Sequence, residues 1–200
     1  QKLKLLSLKV KKSMIKEIQK KQEIGIVTKL DILGNPAKIV YLAIGSNLGN
    51  RFLNINKAKS KLINKGILIR KCSSNYESLS WPNKKNPKFI NIVIQIKTTL
   101  SCLELLDICQ TIEKELGRLK KSKNSPRTCD IDIIDYDRKL IRINDPKALF
   151  LPHKSMSKRN FVLLPLFEIA KSWKHPETNI NITQLISCLK IKDLRAINQI

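Results

Sequence analysis

At 200 residues with 42% hydrophobic content, the chain is long enough to bury a core and too apolar to be disordered. Its formal net charge is +23, from 39 basic and 16 acidic residues, a balance that ordinarily points to nucleic acid or an anionic membrane surface. The excess is mostly Lys, spread along the chain beside abundant Ile and Asn, residues with A/T-rich codons; we ascribe it to genome composition rather than to a nucleic-acid partner, although a positive field draws in polyphosphates.

Residues 1–37 differ from the rest and read as an N-terminal extension or the tail of a fused upstream domain; 38–200 form the second unit. In the first, Leu3, Leu5, Leu6, Leu8 and Val10, then Met14, Ile15 and Ile18, suggest a basic amphipathic helix or a strand followed by a helix, broken by Gly25, Gly34 and Pro36. In the second, residues 39–44 are predicted as a buried strand, ended by the turn formers Gly45-Ser46-Asn47-Leu48-Gly49-Asn50. A helix is expected from about Arg51 to Asn64, stopped by Gly66. Residues 67–76 read as a second strand, and a polar loop containing Trp81 runs over 77–88. A third strand is predicted over 89–98, with Ile90, Ile92, Ile94 and Ile96 on one face.

Ser101 is the expected N-cap of the next helix, with Glu104 at the capping-box position. That helix shows Leu103, Leu106, Ile108, Cys109 and Ile112 on its apolar side and closes at Gly117. A strand beginning at Asp130, a hairpin and a helix over about 158–170 follow. Strand-helix-strand-strand-helix-strand is the split βαβ order, so the expected class is α+β: a ferredoxin-like (βαββαβ) core with an additional hairpin and C-terminal helices.

The stretch Pro126-Arg127-Thr128-Cys129-Asp130-Ile131-Asp132 carries the clearest chemistry. Residues i and i+2 of a strand share a face, so Asp130 and Asp132 project together while Ile131 and Ile133 point into packing. Paired carboxylates repel unless a cation joins them. Mg²⁺ suits the pair, since it takes one or two protein carboxylates and fills its shell with water and phosphate oxygens. Arg127 suits a phosphate oxygen. Asp135 and Asp137, by contrast, read as solvated residues at a strand end or turn. Gly45 to Gly49 lacks the Lys-Ser/Thr of a P-loop and reads as a tight structural turn. The basic run 117–123 reads equally as a solvated loop or as a wrap around a triphosphate.

Cys72, Cys102, Cys109, Cys129 and Cys188 form an odd set with no CxxC pair, which favours reduced thiols and a cytoplasmic setting over disulfides or zinc. No apolar run approaches membrane-spanning length. The Lys-rich start lacks Arg and has little Ser, so we read it against organelle targeting.

In combination and order, Ala43 to Gly49, Phe89-Ile90-Asn91, Glu113 with Gly117-Arg118, Pro126-Arg127 with Asp130-Ile131-Asp132, Pro152-His153, and Arg159 with Phe161-Val162-Leu163 resemble the 6-hydroxymethyl-7,8-dihydropterin pyrophosphokinase family over about residues 38–190. The resemblance implies transfer of pyrophosphate from ATP to hydroxymethyl-dihydropterin in folate biosynthesis, with two Mg²⁺ ions held by Asp130 and Asp132. It implies Arg118 and Arg127 at the transferred phosphate, and Ser78, Leu79, Trp81, Phe89, Asn91 and Phe161 around the pterin. It assigns Gln110, Glu113, Lys120, Arg127, Ile133, His153, Lys154 and Arg159 to the nucleotide side, and it admits fusion to another folate-pathway enzyme. Lys120 stands where Arg is frequent, Asn124-Ser125 where an aromatic and Gly are usual, and Ala148 and Phe150 where some members use Arg and Thr. Two other classes share parts of the pattern. An RNA-binding ferredoxin-like module would need aromatics exposed on its central strands, which are instead rich in Ile and Val. A glycosyltransferase built on the Asp-x-Asp pair would need a longer chain.

Overall fold

A computed structural model describes residues 36–80, 83–118, 125–145 and 147–200. The fold below is that of Lys38–Ile200; the elements expected in the N-terminal segment lie outside the described residues.

The sheet is built on β1 (Lys38–Ser46), which pairs antiparallel with both β4 (Phe89–Thr98) and β5 (Asp130–Tyr136). β2 (Leu68–Cys72) and β3 (Tyr76–Ser78) share the other edge of β4, one on each half of it, and β8 (Ile197–Gln199) extends β3. With α1 (Arg51–Asn64) after β1 and α2 (Cys102–Glu115) after β4, this is the expected α+β, ferredoxin-like arrangement. The hairpin β6 (Ile141–Ile143) and β7 (Leu149–Leu151) follows as a separate ribbon. The chain then enters α3 (Asn160–Ile169) and the short helices α4 (Ile182–Ser187) and α5 (Ile191–Leu194).

Local signals account for the helix ends. Asn50 Oδ1 accepts the Leu53 N–H at 3.0 Å to open α1. Gly66, at φ +78°, lets the chain leave it in a conformation that other residues resist. Ser101 and Glu104 form the reciprocal capping box at α2. Ile55, Ala58 and Leu62 of α1, and Leu105, Cys109 and Ile112 of α2, pack on Val40, Leu42, Ile44 and the isoleucines of β4. Burying that apolar area is the main force closing the domain. Leu103, expected on the apolar side of α2, instead stays 36% exposed, because Leu105, one turn before Cys109, takes the inward position.

The opposite face of the sheet is also covered. Val93 and Ile134 meet Val162, Leu163 and Leu166 of α3, together with Trp173, Ile182 and Leu185. Helix α3 and the C-terminal segment thus cover much of the face that an RNA-binding module leaves open.

Three further expectations need correction. The strand expected over 67–76 is two strands, because its middle is polar. Ser73 uses both its N–H and its Oγ on Val93 of β4, at 2.9 and 3.0 Å, and Ser74 turns its N–H and hydroxyl onto Glu168. The helix expected from about Lys158 is a 3₁₀ turn at Met156–Lys158 and then α3, separated by Arg159 in an extended conformation. Asp135, expected to be solvated, is 1% exposed. Its carboxylate accepts the Trp173 indole N–H at 2.7 Å and the Arg138 N–H at 2.9 Å, which satisfies it beneath the C-terminal segment. Asp137 does lie in the turn, exposed and at φ 53°.

Candidate active site

Strand register brings the predicted residues into one row. Asn91 of β4 pairs with Gly45 of β1, and Gly45 with Asp130 of β5. Paired residues present side chains to the same face, so Gly45 leaves a gap between an amide and a carboxylate. The gap is needed: a Cβ on Gly45 would lie 3.0 Å from Asn91 Oδ1 and 3.3 Å from the Phe89 ring. Over this gap lies a cavity lined by Ser78, Leu79, Phe89, Asn91, Arg127, Asp130, Arg159 and Phe161. Every described residue that the sequence assigned to a pterin is among them. Buried Asn91 donates through Nδ2 to Ser78 Oγ at 2.9 Å, which fixes its orientation. The Arg127 guanidinium sits 5.9 Å from the Phe89 ring centre, and that of Arg159 sits 5.6 Å from the Phe161 ring centre.

Asp130 and Asp132 share a face of β5, half-buried between buried Ile131 and Ile133, as period-two alternation requires. Asp130 Oδ1 meets Arg118 Nη1 at 2.8 Å and Arg127 Nη1 at 3.2 Å. Asp132 Oδ2 meets Arg159 Nη1 at 3.0 Å, with His153 Nε2 at 3.9 Å. β5 is a sheet edge, so an outward N–H needs a partner. Glu113 of α2 supplies one, accepting the Ile131 N–H at 2.7 Å while also pairing with Arg118. Its carboxylate thus anchors the strand between the two aspartates.

Burial governs the protonation of this cluster. It pushes the Glu113 carboxyl up to about 7, against the Ile131 N–H and Arg118. Burial first, and the Asp132 carboxylate second, push Asp130 up, while Arg127 and Arg118 pull it down. Burial lowers the His153 imidazole, and Asp132 opposes that. The Ser155 N–H donates to His153 Nδ1 at 3.2 Å, so a neutral ring carries its proton on Nε2, toward Asp132. A bond from the His153 N–H to the Ile134 carbonyl, 2.9 Å, ties this segment to β5.

The remaining assignments scatter more widely. Gln110 is half-buried on α2, one turn before Glu113. The Ile133 side chain belongs to the core beneath the site. Lys154 is exposed, with Nζ 3.3 Å from the Phe150 ring centre. Trp81, Lys120 and Asn124 lie outside the described residues, as does the basic run beyond Arg118. The turn after β1 reaches the site: Asn47 Oδ1 accepts the Arg127 N–H at 2.7 Å. Nothing in the local pattern around Asn47 signals that bond, which spans 80 residues.

Among the described residues no three metal-ligating side chains cluster. The candidate donor set is the two β5 carboxylates, Asp130 lining the cavity and Asp132 on the same face of the strand, while Glu113 is turned to the Ile131 N–H. Such a set fits a hard divalent ion that completes its shell with water and phosphate.

Fold and site together define an α+β protein that gathers carboxylates and guanidinium groups beside an aromatic-walled cavity, a class of site suited to holding a flat ligand next to a polyanion. A family model described as 7,8-dihydro-6-hydroxymethylpterin-pyrophosphokinase (HPPK) matches residues 41–171. The 2-amino-4-hydroxy-6-hydroxymethyldihydropteridine pyrophosphokinase of Aquifex aeolicus is 42% identical over 137 residues, covering 68% of this chain and 83% of that protein. The folic acid synthesis protein fol1 of Pneumocystis carinii is 39% identical over 158 residues, 79% of this chain but 21% of that protein. The crystal structure of Plasmodium falciparum HPPK-DHPS with pteroate superposes with a TM-score of 0.62 at 17% identity, covering 76% of this chain and 42% of that one. The chain belongs to the 7,8-dihydro-6-hydroxymethylpterin-pyrophosphokinase family. It spans about a fifth of the length of the fungal and Dictyostelium folic acid synthesis proteins it matches.

Proposed function

We propose that this chain transfers pyrophosphate from ATP to 6-hydroxymethyl-7,8-dihydropterin, giving AMP and the pterin diphosphate, in folate biosynthesis. The observation that carries the reading is the row Asn91–Gly45–Asp130, which sets a cavity fit for a flat bicycle directly beside the paired carboxylates. Phe89 and Phe161 hold the ring, and Asn91, braced by Ser78, reads its polar edge. The hydroxymethyl oxygen bonds to the β-phosphorus, and the bond from that phosphorus to the α–β bridging oxygen breaks. AMP departs with that electron pair, and the hydroxyl proton is lost.

Arg118 and Arg127, now paired with Asp130, are positioned to donate to the transferred phosphates. Arg159 and His153, gathered at Asp132, and Gln110 and Lys154 beyond them attend the nucleotide side. Asp130 and Asp132 would hold Mg²⁺, two ions by family resemblance, which would neutralise phosphate charge when bound. The protein's own work is orientation and charge placement, the main requirement of in-line phosphoryl chemistry.

The fungal relatives are several times longer, and the Plasmodium protein is named HPPK-DHPS; we read residues 38–200 as one catalytic unit of a larger folate protein, with 1–37 its preceding segment. Five unpaired cysteines suit a cytoplasmic setting, and no helix among the described residues is long and apolar enough to cross a membrane.

The test is AMP formation from ATP and hydroxymethyl-dihydropterin in the purified chain. Asp130→Ala and Asp132→Ala should each abolish it while circular dichroism stays unchanged; wild-type turnover in either variant refutes the carboxylate roles.

A further inference from the structure

β3 has only three residues, yet its Ser78 and the following Leu79 line the cavity. So short a strand gains little from pairing along one edge alone. β4 holds one edge, with Phe89 opposite Ser78. β8 holds the other, with Ile197 opposite Ser78 and Gln199 opposite Tyr76. Paired residues share a face, so Phe89, Ser78 and Ile197 form a row across three strands. Ile197 is 7% exposed. The Ile200 N–H donates to the Asn75 carbonyl at 2.9 Å, and Gln199 Nε2 donates to Ser74 Oγ at the same distance. Bonded pairs alternate along an antiparallel ladder, so the next bonded pair inward is Asn198 with Glu77. Ile197 and Ser78 then take the narrower spacing, at which side chains pack closest.

The same segment backs another part of the wall. Asn160 precedes Phe161 at the start of α3. Its Oδ1 accepts the Phe161 N–H at 2.7 Å, and its Nδ2 donates to the Asp193 carbonyl in α5, just before β8. Asn160, Asp193 and Ile197 do not themselves line the cavity.

We propose that β8, with Asp193 ahead of it, is a positioning element for the ring pocket, and that Ile197 is its central positioning residue. It holds Ser78 and Leu79 at the spacing from Phe161 that a flat bicycle requires. The proposal rests on the functional reading above for the identity of the ligand. Asp130 and Asp132 stand on β5, at the opposite edge of the sheet from β8, so the brace serves the pterin and not the nucleotide.

The experiment measures kcat and the KM of each substrate, from AMP formation, in the wild-type chain, Ile197→Ala, Asn198→Pro and Leu185→Ala. Asn198→Pro leaves Ile197 in place and removes the N–H that the ladder gives to Glu77. Leu185, also 7% exposed but in the core under α3, is the control for lost packing.

Ile197→Ala and Asn198→Pro should each raise the pterin KM about tenfold, the scale of one displaced polar contact, with kcat and the ATP KM unchanged. Leu185→Ala should leave the pterin KM alone. An unchanged pterin KM in either β8 variant, an equal rise in the ATP KM, or an equal rise in Leu185→Ala overturns the proposal.

If the β8 variants do not fold, the wild type decides alone. An element that favours the ligand is itself stabilised by it. Pterin, added with Mg²⁺ and a non-hydrolysable ATP analogue, should therefore slow amide hydrogen exchange at Glu77 and Asn198 beyond the analogue alone. Unchanged exchange there while pterin binds overturns the brace and leaves the functional reading standing. A wild type that neither binds pterin nor forms AMP overturns the functional reading, and the positioning role with it.

Discussion

Replacing Glu113 with Gln removes a charge from the most buried carboxylate of the site, whose side chain is 9% exposed. Burial is the dominant influence on it, raising the carboxyl from an ordinary 4.5 to about 7. The native state thus prefers the proton more than the unfolded chain does. The stability that preference contributes is fully present below pH 4.5 and is lost as pH rises through 7. At ~1.4 kcal/mol per pH unit, the interval costs the native state about 3 kcal/mol at pH 8, with the attraction of Arg118 already working inside that value. Gln keeps an oxygen for the Ile131 N–H, is nearly the same shape and does not titrate. Urea unfolding at intervals from pH 4.5 to 8 reads the difference. The two proteins should be closely matched at the acid end, and the variant should be more stable by about 3 kcal/mol at pH 8. Parallel stability profiles would show that Glu113 is ionised at no cost and would refute the account of its burial.

Two further outcomes are expected. Trp173→Phe removes the indole donor from buried Asp135 and should cost about 1–3 kcal/mol of stability by urea unfolding, the price of a buried polar group left short of a partner. Adding Asp135→Asn should recover part of that loss, and unchanged stability in the single variant would contradict the assignment. Gly45→Ala pushes a methyl against Asn91 and Phe89. It should raise the pterin KM about tenfold, equivalent to ~1.4 kcal/mol, while leaving the ATP KM unaltered; equal rises in both would mean that the gap does not serve the ring.

Much of the fold and site was legible in local pattern. Period-two alternation put Asp130 and Asp132 on one face of β5 and sent Ile131 and Ile133 inward. The capping box at Ser101 and the glycine at 66 marked helix limits that the structure keeps. These are short-range effects, set by backbone geometry and by partners three or four residues away. The resemblance named Ser78, Leu79, Phe89, Asn91 and Phe161, but only strand register and the packing of α3 brought them around one cavity.

Other features depended on residues far apart in the chain. Asp135 and Asp137 look alike in sequence, yet one is sealed under Trp173 and the other lies in the open turn. The strand expected over 67–76 broke because Ser73 found Val93 and Ser74 found Glu168. Asn47 reads as an ordinary turn residue until Arg127 and Pro87 are folded against it. Composition and spacing therefore determined which chemistry this chain can carry and on which strand. Burial and the partner of each polar group were decided only by tertiary packing, because they depend on contacts tens of residues away that no local pattern encodes.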